Sequence, residues 1–335
     1  MTTTPLVSVV IPNYNYASVL ALCLRSVQAQ TYPAIEIVLV DDCSTDDSVQ
    51  VARSLGISPI QLPVNTGVCA ARNAGAARAR GNIIFFLDSD VALAPDAVAI
   101  AVDILQSDPR IGAVCGNYDT VPLIRGRLVE EYRNLFRRWW MGRADGGTVS
   151  GFLNCAILAV PAKVWAEVGP WSTGLIHSEG TVVIERLTER YEVRLDSRVL
   201  GRHDDDATLG IALRKVFIRT HQHVPFFLQR KRVAGVVGSS ESGASLAAVL
   251  TVISLALPFL WGAALIAVPA LLLSVWVALD ARLYAYVFRT RGVSFGFFFL
   301  GMHFLVNLCF AAGAAAGILQ WLTSGSFRRL HEEAA

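Results

Sequence analysis

The sequence predicts an open α/β sheet followed by an α-helical membrane domain, and three observations carry that prediction. Short apolar runs alternate with amphipathic stretches from residue 7 onward, the pattern of strands joined by crossover helices. Charge is concentrated in residues 1 to 235, whereas 245 to 279 and 295 to 322 contain no Asp, Glu, Lys or Arg. Polar clusters fall directly after the apolar runs, where open α/β sheets bind their ligands.

The runs are Val7 to Ile11, Ile35 to Val40, Ile57 to Leu62 and Ile83 to Leu87. All are short and most are β-branched or aromatic, as buried strands are. Between the first two, Ser18 to Gln30 places Leu20, Leu24 and Val27 on one helical face. Ser44, with Asp47 three residues on, is expected to cap a second helix, and Gly56 to end it in a left-handed conformation. A third helix, Val68 to Arg80, is rich in alanine and can therefore pack closely on the sheet.

The apolar residues 245 to 279 would make a single helix of roughly 50 Å, against a hydrocarbon core of about 30 Å. Shorter helices use that length better, and we expect three, at 245–261, 263–280 and 295–322. Three spans place Arg282, Arg289 and Arg291 on the cytoplasmic side, and two would reverse that; charge favours three. Arg214, Lys215, Arg219, Arg230, Lys231 and Arg232 precede the first span, as for a segment on an anionic cytoplasmic leaflet. Interleaved with Phe217, Val224, Phe226, Phe227 and Leu228, they read as an interfacial amphipathic segment or as an ordinary packing helix. The division expected is 1–110 and 111–210 for two halves of the soluble domain, 211–240 for the interfacial segment and 241–335 for the membrane domain. The expected location is multi-pass in the cell (inner) membrane, with the soluble domain cytoplasmic.

Several function classes are excluded. A formal net charge of +2, with no basic early helix, is too small to suggest a nucleic-acid binder. The six cysteines have no CxxC spacing, which argues against a zinc site and against a secreted disulfide framework. Met1 to Pro5 lacks the basic start of a signal peptide. Neither a Gly-rich turn nor a P-loop follows the first strand, so dinucleotide and P-loop chemistry are not indicated.

What does follow the strands is Pro12-Asn13-Tyr14-Asn15, Asp41-Asp42 and Asp88-Ser89-Asp90. Asp88 and Asp90, at i and i+2 after a buried strand, put two carboxylates on one side of the chain. That pair suits a hard divalent cation, Mg²⁺ or Mn²⁺, which keeps positions open for phosphate oxygens. Since Ser44 offers the cap, Asp42 is left free to accept a hydrogen bond from a base N–H. Arg72 is either a solvated helix residue or part of a ligand-facing segment with Asn65, Gly67, Asn73 and Gly75.

Val7 to Asn15, Val40 to Asp46, Asn65-Thr-Gly67, Ala71-Arg-Asn-Ala-Gly75 and Phe86-Leu-Asp-Ser-Asp90 together resemble the successive signatures of the family 2 inverting glycosyltransferases. The resemblance implies a GT-A fold (Rossmann-like), a nucleotide-diphosphate sugar donor, and metal-dependent transfer with inversion. By position it implies that Pro12, Tyr14, Asp42 and Arg72 line the nucleoside pocket, that Asp88 approaches the ribose, and that Asp90 holds the metal. His203 falls where the family often has a histidine reaching back to the metal; a surface histidine is the other reading. Asp204-Asp205-Asp206 reads as a solvated turn.

Val168 to Trp171 and Arg186-Leu187 resemble the family more loosely, as the turn before the acceptor loop and the helix after it. Where the family usually has Glu-Asp, with Asp as general base, this chain has Glu179-Gly180. Three readings stay open: Glu179 is the base, the acceptor is a phosphate that needs none, or transfer is inefficient. The membrane segments suggest a lipid-linked or envelope glycan acceptor. A non-catalytic membrane protein that binds nucleotide sugar as a sensor or assembly partner is the alternative from another class.

Overall fold

A computed structural model of the chain describes residues 4–148, 155–173, 179–205, 208–229 and 239–334. They fall into two units, one ending at Asp205 and one following it. In the first, β1 (Val7–Asn13) is buried at every residue and is followed along the chain by α1 (Ala17–Gln28), β2 (Ile35–Asp41), α2 (Ser48–Ser54) and the short β3 (Ile60–Gln61). Then come α3 (Val68–Ala76), β4 (Ile83–Leu87), β5 (Val91–Leu93), α4 (Ala97–Ser107) and β6 (Ile111–Tyr118). The unit closes with α5 (Leu128–Gly142), β7 (Ile157–Pro161), α6 (Ala162–Val168), α7 (Glu179–Thr188) and β8 (Glu192–His203).

All eight strands form one sheet in the order β3-β2-β1-β4-β7-β6-β8-β5. The first four positions are parallel, as the alternating sequence pattern requires, while β7 runs antiparallel to both β4 and β6. Side-chain alternation divides the core. Val7, Val9 and Ile11 pack with Leu20, Leu24 and Val27 of α1 and Val98 and Ala101 of α4. On the opposite face Val10, Ile84 and Phe86 pack with Val164 and Trp165 of α6 and Val183 and Leu187 of α7.

Close packing of the alanine-rich α3 is real. A Cβ on Gly75 would overlap Val10 Cγ1 and stand 3.1 Å from Val40 Cγ2. Gly56 ends α2 with φ +75°, and the Gly56 and Ile57 N–H groups return to Arg53 O and Ala52 O, each at 3.0 Å. That left-handed turn consumes Ile57 and leaves β3 shorter than the apolar run suggested. The cap differs from expectation. Asp47 stands at the N-cap of α2, and Ser44 Oγ instead accepts from Asn15 N at 3.0 Å and Asn13 Nδ2 at 3.3 Å.

The second unit opens with α8 (Leu209–Gln229). After it come α9 (Ser239–Ser254), α10 (Leu257–Trp261), a 3-10 turn Ala263–Ile266, α11 (Ala267–Leu279), α12 (Ala281–Thr323) and α13 (Gly325–Ala334). Gly243–Trp261 and Ala281–Thr323 are long and apolar enough to cross a membrane, and Ala263–Leu279 is a shorter apolar stretch. The 43 residues of α12 bend at Gly292, whose φ of +82° breaks the helical run before the apolar segment expected from 295. A buried polar link joins α9 to α12, Ser245 Oγ donating to Asn307 Oδ1 at 3.0 Å.

Packing of α8 along α12 depends on two glycines. A Cβ at Gly313 would lie 2.8 Å from Phe217 O, and one at Gly317 2.6 Å from His221 O. The Gly313-x-x-x-Gly317 spacing puts both on one face of α12, the arrangement that lets helix backbones approach closely.

Candidate active site

The polar clusters meet at the carboxyl ends of β1, β2 and β4. Parallel pairing sets Asn13 beside Asp41, and Asn13 Nδ2 donates to Asp41 Oδ1 at 3.0 Å. Asn15 and Cys43 take left-handed φ of +56° and +64°, which turns both loops sharply at the strand ends. Asn15 Oδ1 then accepts Thr45 N at 2.7 Å, tying one loop to the other. Pro12 is buried in the strand, and Tyr14, two residues on, is 43% exposed.

Asp42 is not idle. Its Oδ1 accepts from Thr66 N at 2.8 Å and Thr66 Oγ1 at 2.9 Å, and its Oδ2 from Gly67 N at 2.7 Å. The carboxylate therefore anchors the turn that starts α3, so the expectation of a free acceptor is corrected. The cause is that Gly67, at φ +89°, turns its N–H back toward the end of β2.

Arg72 lies inside the protein, 4% exposed, and the solvated reading falls. Its Nη2 stands 2.6 Å from Asp88 Oδ1, and its guanidinium lies over the Trp171 ring, 4.7 Å from the centroid. Neighbouring Asn73 grips the same tryptophan by its backbone, donating to Trp171 O at 3.0 Å and accepting from Trp171 N at 2.9 Å. Cys23 lies beneath, its Sγ 3.6 Å from Asp88 O. Burial and then the charges of Asp90 and Asp88 push its thiol far up, so it stays protonated.

Asp90 and His203 come together through strand register. Antiparallel pairing of β5 with β8 sets Val91 opposite His203, and His203 Nε2 faces Asp90 Oδ2 at 3.6 Å. The histidine is not a surface group, its side chain being 12% exposed. Burial, seconded by Arg137 and opposed by Asp205, pushes the imidazole down to about 3, so it is neutral near pH 7 with a lone pair to offer. A carboxylate and a neutral imidazole at this spacing fit a divalent cation whose remaining positions stay open. Among the described residues no three His, Cys, Asp or Glu side chains converge as a ready cage.

Sequence reasoning missed the support behind His203. Arg133 Nε meets Asp205 Oδ1 at 2.9 Å and Arg137 Nη2 meets Asp205 Oδ2 at 2.8 Å, while Asn134 Nδ2 donates to His203 O at 3.4 Å. Glu130 Oε1 accepts Asp205 N at 3.2 Å. These four residues of α5, at i, i+3, i+4 and i+7, share one face. Asp205 is thereby buried, which corrects the solvated-turn reading for it; Asp206 lies outside the described residues. Glu130 is fully buried, and burial followed by the Asp204 charge raises its carboxyl to about 7.

Glu179 begins α7, but its side chain lies outside the described residues, as does His177. Gly180 follows it in the first turn, and Arg186 on the same helix donates from Nη1 to Pro170 O at 3.0 Å, joining α7 to the turn that carries Trp171.

Residues 8–155 match the family model Glycosyl transferase family 2. An uncharacterized glycosyltransferase of Nostoc sp. is 41% identical over 114 residues, 32% of this chain and 35% of that one. Glycosyltransferase AglE of Haloferax volcanii is 29% identical over 209 residues, 60% of this chain and 67% of that protein. The chain thus spans little more than a third of the first two curated relatives, 35% and 39%. The solved mannosyltransferase PcManGT of Pyrobaculum calidifontis, in complex with GDP-Man and Mn²⁺, superposes with a TM-score of 0.59 at 17% identity, over 95% of this chain and 88% of its own. The mixed-sheet domain is GT-A-like, and a helical region follows it.

Proposed function

We propose that the chain, whose residues 8–155 match the family model Glycosyl transferase family 2, transfers a sugar, with inversion, from a nucleotide-diphosphate donor to a membrane-associated acceptor. The acceptor is lipid-linked or an envelope glycan. One observation carries the reading: Asp88, locked to Arg72, and Asp90, facing His203, stand within three residues of each other at the carboxyl end of β4. A donor needs both a nucleoside grip and a diphosphate seat, and this short segment offers one carboxylate for each.

In this reading Pro12, Tyr14, Arg72 and Asp88 hold the nucleoside, with Tyr14 as a ring for the base, and Asp42 serves the pocket by anchoring the turn that begins α3. Asp90 and His203 would hold Mn²⁺ or Mg²⁺, which supplies charge neutralisation for the departing diphosphate. The neighbour with bound GDP-Man and Mn²⁺ supports trying that donor and metal first. Glu179 is the base that takes the acceptor proton, replacing the aspartate position now held by Gly180. Two apolar helical segments in the same chain support a membrane anchor and an acceptor met at the bilayer, with the transferase domain cytoplasmic.

The test is transfer by the purified full chain from a panel of nucleotide sugars with Mn²⁺, using membrane lipid extract as acceptor, with product anomeric configuration read by NMR. Transfer with inversion, abolished by Asp90→Ala, is expected. Donor binding without turnover across the panel would replace this reading with the nucleotide-sugar sensor that Gly180 suggests.

A further inference from the structure

Trp171 closes a turn that the sequence alone assigns no chemistry, yet two successive residues of α3 are committed to it. The guanidinium carbon of Arg72 lies over its ring, 4.7 Å from the centroid, and Asn73 makes reciprocal hydrogen bonds of 3.0 and 2.9 Å to its backbone. The indole itself is 1% exposed. Phe86 meets it edge-on at 5.2 Å and Trp165 packs at 5.6 Å. Phe86 sits two residues before Asp88, so the tryptophan touches both the helix that carries the arginine and the strand that carries its carboxylate.

An arginine side chain has several rotatable bonds, and contact with a carboxylate oxygen does not by itself fix the plane of its guanidinium. An indole face does, because the delocalised cation is attracted to the ring quadrupole over its whole area, an attraction that strengthens on removal from water. The height of that face is set in turn by Asn73. With both the backbone donor and the backbone acceptor of Trp171 bound to one amide, the backbone cannot slide without breaking two partly buried hydrogen bonds.

The geometry points to Trp171, held by Asn73, as the positioning residue that aims Arg72 at Asp88 and so sets the affinity for the nucleoside diphosphate part of the donor. This rests on the reading that Arg72 and Asp88 grip the nucleotide. No contact between Trp171 and the donor is needed: the effect runs through the guanidinium.

A double-mutant cycle on the purified full chain tests it, with the dissociation constants of UDP and GDP in the presence of Mn²⁺ measured by calorimetry. Trp171→Leu is expected to weaken binding about tenfold, and Trp171→Phe, which keeps a ring under the cation, less than threefold. In an Arg72→Met background the Trp171→Leu effect is expected to vanish. A tryptophan that only fills the core would give the same loss in both backgrounds, which would overturn the proposal. If Trp171→Leu does not fold, Asn73→Ser loosens the clamp without emptying the core and carries the same expectation through the same cycle. Should Arg72→Met alone leave nucleotide affinity unchanged, or wild type bind neither nucleotide, the donor reading fails first and the positioning role with it.

Discussion

Asp42→Asn separates a loop anchor from a base reader. The carboxylate accepts three hydrogen bonds from the turn that begins α3, two on Oδ1 from Thr66 and one on Oδ2 from Gly67 N at 2.7 Å. An asparagine can keep its carbonyl toward Thr66, but its amide then points N–H against the Gly67 N–H. The loss is one bond to a charged acceptor, worth about 1.5–3 kcal/mol, plus a half-buried donor left facing another donor, at about 1 kcal/mol. A negative charge beside a helix N-terminus adds about 0.3–1 kcal/mol. These losses overlap, and about 3 kcal/mol is the expected destabilisation, a fall in melting temperature of roughly 6–12 °C for a unit of this size. Thr66→Val removes the hydroxyl bond and leaves the carboxylate, so about 1 kcal/mol is expected, or roughly 2–4 °C. The assay is thermal unfolding followed by intrinsic fluorescence, with nucleotide binding measured in parallel. If Asp42→Asn melts with the wild type while nucleotide binding collapses, the anchoring argument is refuted and the side chain reads the ligand instead.

Three further substitutions probe the rest of the molecule. Asp205→Ala leaves the partly buried Arg133 and Arg137 without their shared carboxylate, so chemical denaturation should show a loss of about 3 kcal/mol. Glu130, with its pKa raised from 4.5 to about 7, carries stability that is full below pH 4.5 and lost as pH rises through 7. Glu130→Gln should therefore gain on wild type between pH 5 and pH 8, by at most about 3 kcal/mol, in melts run as a pH series; a constant difference across that range would contradict the burial argument. In the second unit, Gly317→Val forces a side chain against His221 O, and limited proteolysis within α8 should accelerate markedly over the wild-type rate.

Period and punctuation carried much of the fold. β1, β2 and β4 lie where the apolar runs are, because parallel strands covered on both faces are apolar almost throughout. Gly56 ended its helix as expected, since only a left-handed residue lets the chain turn back there. Ser44 misled because a short hydroxyl side chain after a strand can cap a helix or bond an adjacent loop, and here Asn13 and Asn15 stand close enough to claim it. Local pattern contains no information about that neighbour, which pairs from another strand.

The same distinction explains which site residues were readable. Asp88 and Asp90 lie at a strand end, so their placement follows from one element, whereas bringing His203 to Asp90 needs a pairing across more than a hundred residues, Val91 with His203. The support around His203 was hidden for a different reason. Glu130, Arg133, Asn134 and Arg137 form a polar stripe, and a polar helical face is ordinarily a solvated one. Here its charge is matched by Asp205, buried at 4% side-chain exposure between two guanidinium groups. Opposite charges on a helix stripe and on a strand-end triplet are each unremarkable in sequence. Only their mutual burial makes them a scaffold, and it is a costly one, since each charge must find its partner to offset desolvation. On the proposed reading such expense beside Asp90 and His203 holds a ligand position, since apolar packing would stabilise the fold at lower cost.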